Sequence, residues 1–157
     1  MTITYHHYFS AIPLLILVTF AAGCGDGGSA VKTYRVEGTV THNGQPLVDA
    51  SVTFYPVGGE HSGYAKTDER GRYKLSTSAG AAEAGTVPGE YTVTISKRIS
   101  VPTGKTLTEL GDDGKPYTSP EMTMRETLPA KYTMVQETPF KAAVEAKKVN
   151  EINFTLE

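Results

Sequence analysis

The sequence predicts an all-β protein built as one antiparallel sandwich of seven strands, and three observations carry that expectation. From Val31 onward apolar and polar residues alternate with period two, and no stretch sustains helical periodicity. The alternating runs are short and are punctuated by turn formers such as Asn43-Gly44, Asp68 to Gly71 and Pro88-Gly89. A single cysteine in 157 residues allows no internal disulfide, so two facing sheets must bury a shared apolar core large enough to stand without staples.

The first strand is read from Tyr34, Val36, Gly38 and Val40, which alternate with Arg35, Glu37, Thr39 and Thr41. Asn43-Gly44 turns it, because both residues tolerate positive φ, and Ala50, Val52, Phe54 and Pro56 mark the second strand. Residues 62–67 and 72–76 are expected to form a hairpin about Asp68-Glu69-Arg70-Gly71, with Asp opening and Gly closing a type I turn. A loop over 77–89 leads to the fifth strand at 90–97, with Tyr91, Val93 and Ile95 on one face. Residues 98–138 break the rhythm and read as one long loop insert. It carries an acidic turn at Gly111-Asp112-Asp113-Gly114 and a short helix starting at Ser119-Pro120-Glu121, where Ser can cap and Pro fits the first turn. Strands six and seven follow at 140–146 and 150–156. The expected core is Tyr34, Val36, Val40, Val52, Phe54, Tyr73, Leu75, Tyr91, Val93, Ile95, Val144, Ile152, Phe154 and Leu156.

The N-terminus obeys different rules. Residues 11–22 are uncharged and largely apolar, and no Lys or Arg occurs before Lys32. Such a run is too short to span a bilayer but suits the apolar centre of a secretory signal. Ala21, Ala22 and Gly23 then lead directly into Cys24. This order resembles the lipobox of bacterial lipoproteins, in which the leader is cut just before a cysteine whose sulfur carries a diacylglyceryl group. Ala21 stands where that motif usually has Leu, and His6 and His7 stand where basic residues are usual. The resemblance implies a signal peptide over 1–23, disordered or helical, lipidation of Cys24, and a Gly-rich tether over 24–32 ahead of a domain at 33–157. Acyl chains would then hold the protein at a cell membrane or outer membrane, on its extracytoplasmic side. A soluble secreted chain cut near Ala22, and an uncleaved anchor helix kinked at Pro13, are the alternatives.

Formal charge is nearly balanced at −2, so no basic field is available to hold a nucleic acid. His42 and His61 are the histidines outside the leader, and each lies in a turn or Gly-rich loop, so solvated turn residues are the reading. Asp112-Asp113-Gly114 lacks the spaced oxygen ladder and distal Glu of a calcium loop, and no ligand spacing for a metal or cofactor is found. Nor does a Gly-x-Ser-x-Gly elbow occur, and no catalytic residues are assigned.

Several segments together resemble the carboxypeptidase regulatory-like domain: Val36-Glu37-Gly38-Thr39-Val40, Asn43-Gly44-Gln45-Pro46-Leu47, Ala50-Ser51-Val52-Thr53-Phe54, Thr67-Asp68 with Gly71-Arg72-Tyr73, and Pro88-Gly89-Glu90-Tyr91-Thr92-Val93. The resemblance covers about residues 34–97. It implies a transthyretin-like (prealbumin-like) Greek-key sandwich that does no bond chemistry. The expected function is a structural or protein-interaction module of the cell envelope, with an envelope protein as partner. The alternative is a carbohydrate-binding module. If a binding surface exists, the 98–138 insert is its expected place, because loops on rigid sheets carry function, with Tyr117, Met122, Met124 and Tyr132 as candidate residues; the alternative is that these residues pin the insert to the sandwich.

Overall fold

The first alternating run becomes the spine of the molecule. The computed structural model describes residues 31–77 and 83–157; the leader, Cys24 and most of the tether lie outside the described residues. In chain order the elements are β1 (Arg35–His42), β2 (Gln45–Pro46), β3 (Ser51–Pro56), β4 (Gly63–Lys66), β5 (Arg72–Lys74), β6 (Ser76–Thr77), β7 (Gly89–Ser96), β8 (Arg98–Leu110), β9 (Pro116–Glu126), α1 (Ala130–Thr133), β10 (Lys141–Val144), β11 (Val149–Glu151) and β12 (Phe154–Leu156).

One sheet is organised around β1, which pairs with β2 and β5 along one edge and with β11 and β12 along the other. The second sheet runs β10-β7-β3-β4-β6. Period-two alternation turns Val36, Val40, Val52, Phe54, Tyr73, Tyr91, Val93, Ile95, Phe154 and Leu156 into the space between the sheets, where all are buried. Phe54 lies at the centre, with ring centroids of Tyr91, Phe154 and Tyr73 at 5.7, 6.1 and 6.3 Å. Burying each such side chain contributes about 1.5–3 kcal/mol, which is how the sandwich holds without a disulfide.

The all-β sandwich is as expected, and several details differ. The edge pairings β1·β11 and β1·β12 are parallel. The last strand returns beside the first across the whole chain, and a connection of that length has no need of a hairpin. The expected hairpin of 62–67 with 72–76 forms only at its open end, where Tyr64 pairs antiparallel with Ser76; between there and the turn it splits, β4 pairing with β3 and β5 crossing to β1 in the other sheet. The turn chemistry is as expected, with the Asp68 carboxylate accepting the Arg70 and Arg72 backbone N–H groups at 2.9 Å. Gly71 is tucked against the β1–β2 hairpin, however, its carbonyl accepting the Val40 N–H at 2.8 Å, and this steers β5 to the free edge of β1. Two expected core residues are only half-buried. Tyr34 precedes β1 and bridges Thr86 through the backbone. Ile152 sits at the break between β11 and β12, where its carbonyl accepts the Tyr73 hydroxyl at 2.7 Å.

The largest correction concerns 98–138. It is not a loop: β8 and β9 form a two-stranded antiparallel ribbon. Ser119 and Pro120 lie within β9, and the short helix is instead Ala130–Thr133. The β-branched residues Ile99, Val101, Thr106, Thr108, Thr118 and Thr123 favour the extended state, and Pro120 is tolerated because a ribbon has two free edges.

The chain enters the sandwich at one end and the ribbon leaves at the other. At the entry end, Asn150 hydrogen-bonds the Arg35 carbonyl and the Glu145 backbone, while Val144 pairs with Gly89. At the opposite end, Leu47 N–H bonds Val40, the Thr67 hydroxyl bridges Leu47 and Ala50, and Ser51 pairs with both Lys66 and Ser96. Lys97 and Arg98 follow at once, so the base of the ribbon lies across the body from Tyr34, where the described chain enters the sandwich.

Candidate interaction surface

The ribbon begins where the Lys97 carbonyl accepts the Thr127 N–H at 2.9 Å, and the Glu126 carboxylate caps the base by accepting the Lys97, Thr127 and Leu128 N–H groups at 2.9–3.1 Å. Its tip is the acidic Gly111–Gly114 turn. Gly114 adopts φ of 73°, its N–H bonds the Gly111 carbonyl, and the Asp113 carboxylate accepts the Lys115 N–H. Beyond its base the ribbon makes no extensive contact with another element among the described residues, and nearly every side chain on both faces is exposed.

Register places the candidate residues individually. Met122 and Met124, 49% and 60% exposed, lie on one face with Pro102, Pro116, Pro120 and Leu110. Tyr117 lies on the other face, its hydroxyl donating to the Glu109 carboxylate at 2.5 Å, and this bond raises the phenol's pKa. Tyr132 is not a surface residue at all. It is 4% exposed, stacks on Phe140 at 5.5 Å, and its hydroxyl donates to the Glu157 carbonyl at 2.7 Å and accepts the Glu157 N–H at 3.0 Å. The reason is that 127–138 folds back from the ribbon onto β7, where the Thr138 hydroxyl donates to the Val93 carbonyl at 2.6 Å. The four residues therefore form no common patch.

A groove of about 760 Å³ separates the ribbon base from the outer face of the second sheet. Its floor is Ser51, Thr53, Tyr55 and Thr94, and Met124 and Met134 wall it. Tyr55 and the neighbouring Tyr64 are exposed on this face. These residues were missed as candidates, although the parity of Phe54 as a core residue already turns Tyr55 outward. His42 is the last residue of β1 and His61 lies in the loop between β3 and β4, and both are half-buried. Among the described residues no group of three or more His, Cys, Asp or Glu is placed to hold a metal.

A second cleft, about 620 Å³, is lined by Glu37, Lys66, Asp68, Arg72, Lys74 and Glu83 among others. Its two other cations besides Lys66 are held in ion pairs within the cleft: Arg72 with Asp68 at 2.9 Å and Lys74 with Glu83 at 3.1 Å. The Arg72 backbone N–H, helped by the Arg72 side chain and the Arg70 N–H, holds the Asp68 carboxyl below the ordinary aspartate range. A folded pKa below the unfolded one gives stability that is present above the unfolded pKa and lost as pH falls through the folded one. Thermal midpoints of the native chain and Asp68→Asn should therefore differ at neutral pH, and the gap should shrink as pH falls below the ordinary aspartate range. A gap independent of pH would contradict this.

No protein-family model matches the chain, and a search of curated proteins found no match. Among solved structures, a crystal structure of a 9R-lipoxygenase from Cyanothece PCC8801 is similar over 80% of this chain at 12% identity and a TM-score of 0.37. The chain spans 16% of that protein, and a likeness this slight bears on neither fold nor activity.

Proposed function

We propose that this protein is a lipid-anchored, non-catalytic module of the bacterial envelope, a carboxypeptidase regulatory-like sandwich that presents its ribbon to a protein partner. The observation that carries this reading is that the Tyr34 end and the ribbon lie at opposite ends of the sandwich. A chain held through Cys24 enters at the Tyr34 end, and the ribbon springs from the far end, away from the anchoring surface. The cleft supports the same reading, because its Arg72 and Lys74 are held in ion pairs with Asp68 and Glu83. Carbohydrate binding is the second reading. What favours it is the groove floored by Ser51, Thr53 and Tyr55, rather than the buried Tyr132.

Anchoring is tested by fractionating cells that express the native chain or Cys24→Ala and by mass spectrometry of the mature N-terminal peptide. The expected result is native chain in the membrane fraction with a diacylglyceryl group on Cys24, and release of Cys24→Ala from it. Membrane retention of Cys24→Ala, with an unmodified Cys24 in the native chain, would overturn the proposal.

A further inference from the structure

We propose that the distal edge of β8 is a self-association surface, at which two copies of this chain pair antiparallel about Leu107. In an antiparallel ribbon successive residues alternately bond the partner strand and point their N–H and C=O groups outward. The Lys97 carbonyl accepts the Thr127 N–H and the Gly111 N–H donates to the Lys115 carbonyl, so these positions face inward. The pairs Arg98↔Glu126, Pro102↔Met122, Thr106↔Pro120 and Leu110↔Pro116 therefore face outward.

All three prolines of the ribbon fall at outward positions, where they cost no ladder bond. Pro116 and Pro120 interrupt the outer edge of β9, and Pro102 interrupts that of β8. The proline-free stretch of β9 lies at the ribbon base, where Met124 and Glu126 face Thr133 and Met134 across the groove. What remains open is the distal half of β8. Thr106, Thr108 and Leu110 there have exposed side chains and main-chain groups without partners beyond the ribbon among the described residues. An unpaired edge of this kind is a template for another strand.

The side chains select a second copy as that strand. Outward groups must meet outward groups, so an antiparallel pairing of β8 with itself can be centred on Leu107 or on Thr108 but not between them. Centred on Leu107, Thr106 and Thr108 exchange main-chain bonds with Thr108 and Thr106 of the second copy. Leu107, 42% exposed, then meets its own counterpart, and Lys105, which ends the register break between Pro102 and Thr106, comes opposite Glu109 twice. Centred on Thr108, Glu109 would face Leu107 and no ion pair would form. Cross-strand pairs of opposite charge stabilise a ladder and like charges oppose it, so the Leu107-centred register is preferred. It places the two sandwiches at opposite ends of a four-stranded sheet.

The test is cross-linking of the full-length chain, since directly opposed, non-bonded positions bring Cβ atoms within disulfide reach. Under mild oxidation Leu107→Cys should form a covalent dimer roughly tenfold faster than Met122→Cys, which is exposed on β9, with the native chain and its Cys24 as the blank. Adding Lys105→Glu or Glu109→Lys should slow that reaction roughly fivefold, and combining both reversals should restore it. Thr108→Pro fits the ribbon as the native prolines do and should abolish the dimer while far-ultraviolet circular dichroism stays unchanged. Equal rates for Leu107→Cys and Met122→Cys, a dimer that survives Thr108→Pro, or no recovery in the double reversal would each overturn the proposal.

Discussion

Gly38→Ala is expected to destabilise the sandwich by about 3 kcal/mol or more and to lower Tm by roughly 10 °C or more. Gly38 is in the middle of β1, flanked by β5 on one side and by the break between β11 and β12 on the other. A Cβ there would lie 1.8 Å from the Ile152 carbonyl oxygen and 2.7 Å from its carbon, with Tyr73 Cε1 at 3.1 Å. The nearest atoms are backbone, so no rotamer change relieves the overlap. Moving Ile152 would break its N–H bond to the Glu37 carbonyl, 2.9 Å, and the Tyr73 hydroxyl bond, 2.7 Å. It would also disturb the neighbouring Asn153 carboxamide, whose oxygen takes the Thr39 N–H at 2.8 Å where the strand ladder is interrupted. Thermal and urea midpoints of native chain and variant decide the matter. A loss under about 1 kcal/mol would mean that β11 and β12 are not held against β1 in this way.

Phe54→Ala should cost a comparable amount, about 3–5 kcal/mol, by a different mechanism. Phe54 is fully buried and contacts aromatic rings from both sheets. Removing it leaves a cavity that Tyr73 and Tyr91 cannot fill, since their hydroxyls are tied to the Ile152 and Val87 carbonyls at 2.7 Å. Phe54→Leu restores much of the volume and should recover more than half of the loss. Equal destabilisation by both substitutions would show that the ring contacts, rather than filled space, carry the stability. The two variants also report on different parts of the fold, because Gly38 governs the closure of the first sheet and Phe54 the contact between sheets.

Much of the sandwich was legible residue by residue. Alternation identified Val36, Val40, Val52, Phe54, Tyr73, Leu75, Tyr91, Val93, Ile95, Val144, Phe154 and Leu156 as inward, and all are buried. Asn43-Gly44 turned the chain as its tolerance of positive φ requires, at φ of 50° and 76°. The ribbon was misread for an identifiable reason. Its strands carry Pro102, Pro116 and Pro120 and expose both faces, so they lack the one-sided apolar period that marks a strand packed on a core. Tyr132 was misplaced because nothing in Leu128-Pro129-Ala130-Lys131-Tyr132 states that this segment folds back onto β7.

Within the sandwich, what the sequence determined by itself is what near neighbours set: which residues extend, where the chain turns, and which side of each strand faces inward. Only the tertiary structure decided which strands meet. The turn about Asp68 forms as its residues dictate, yet the strands it joins part into different sheets, and the parallel return of β11 and β12 to β1 spans nearly the whole domain. The physical reason is that side-chain alternation and turn chemistry act over a few bonds. Strand partnership is a choice among distant edges, settled by how all of them share one core.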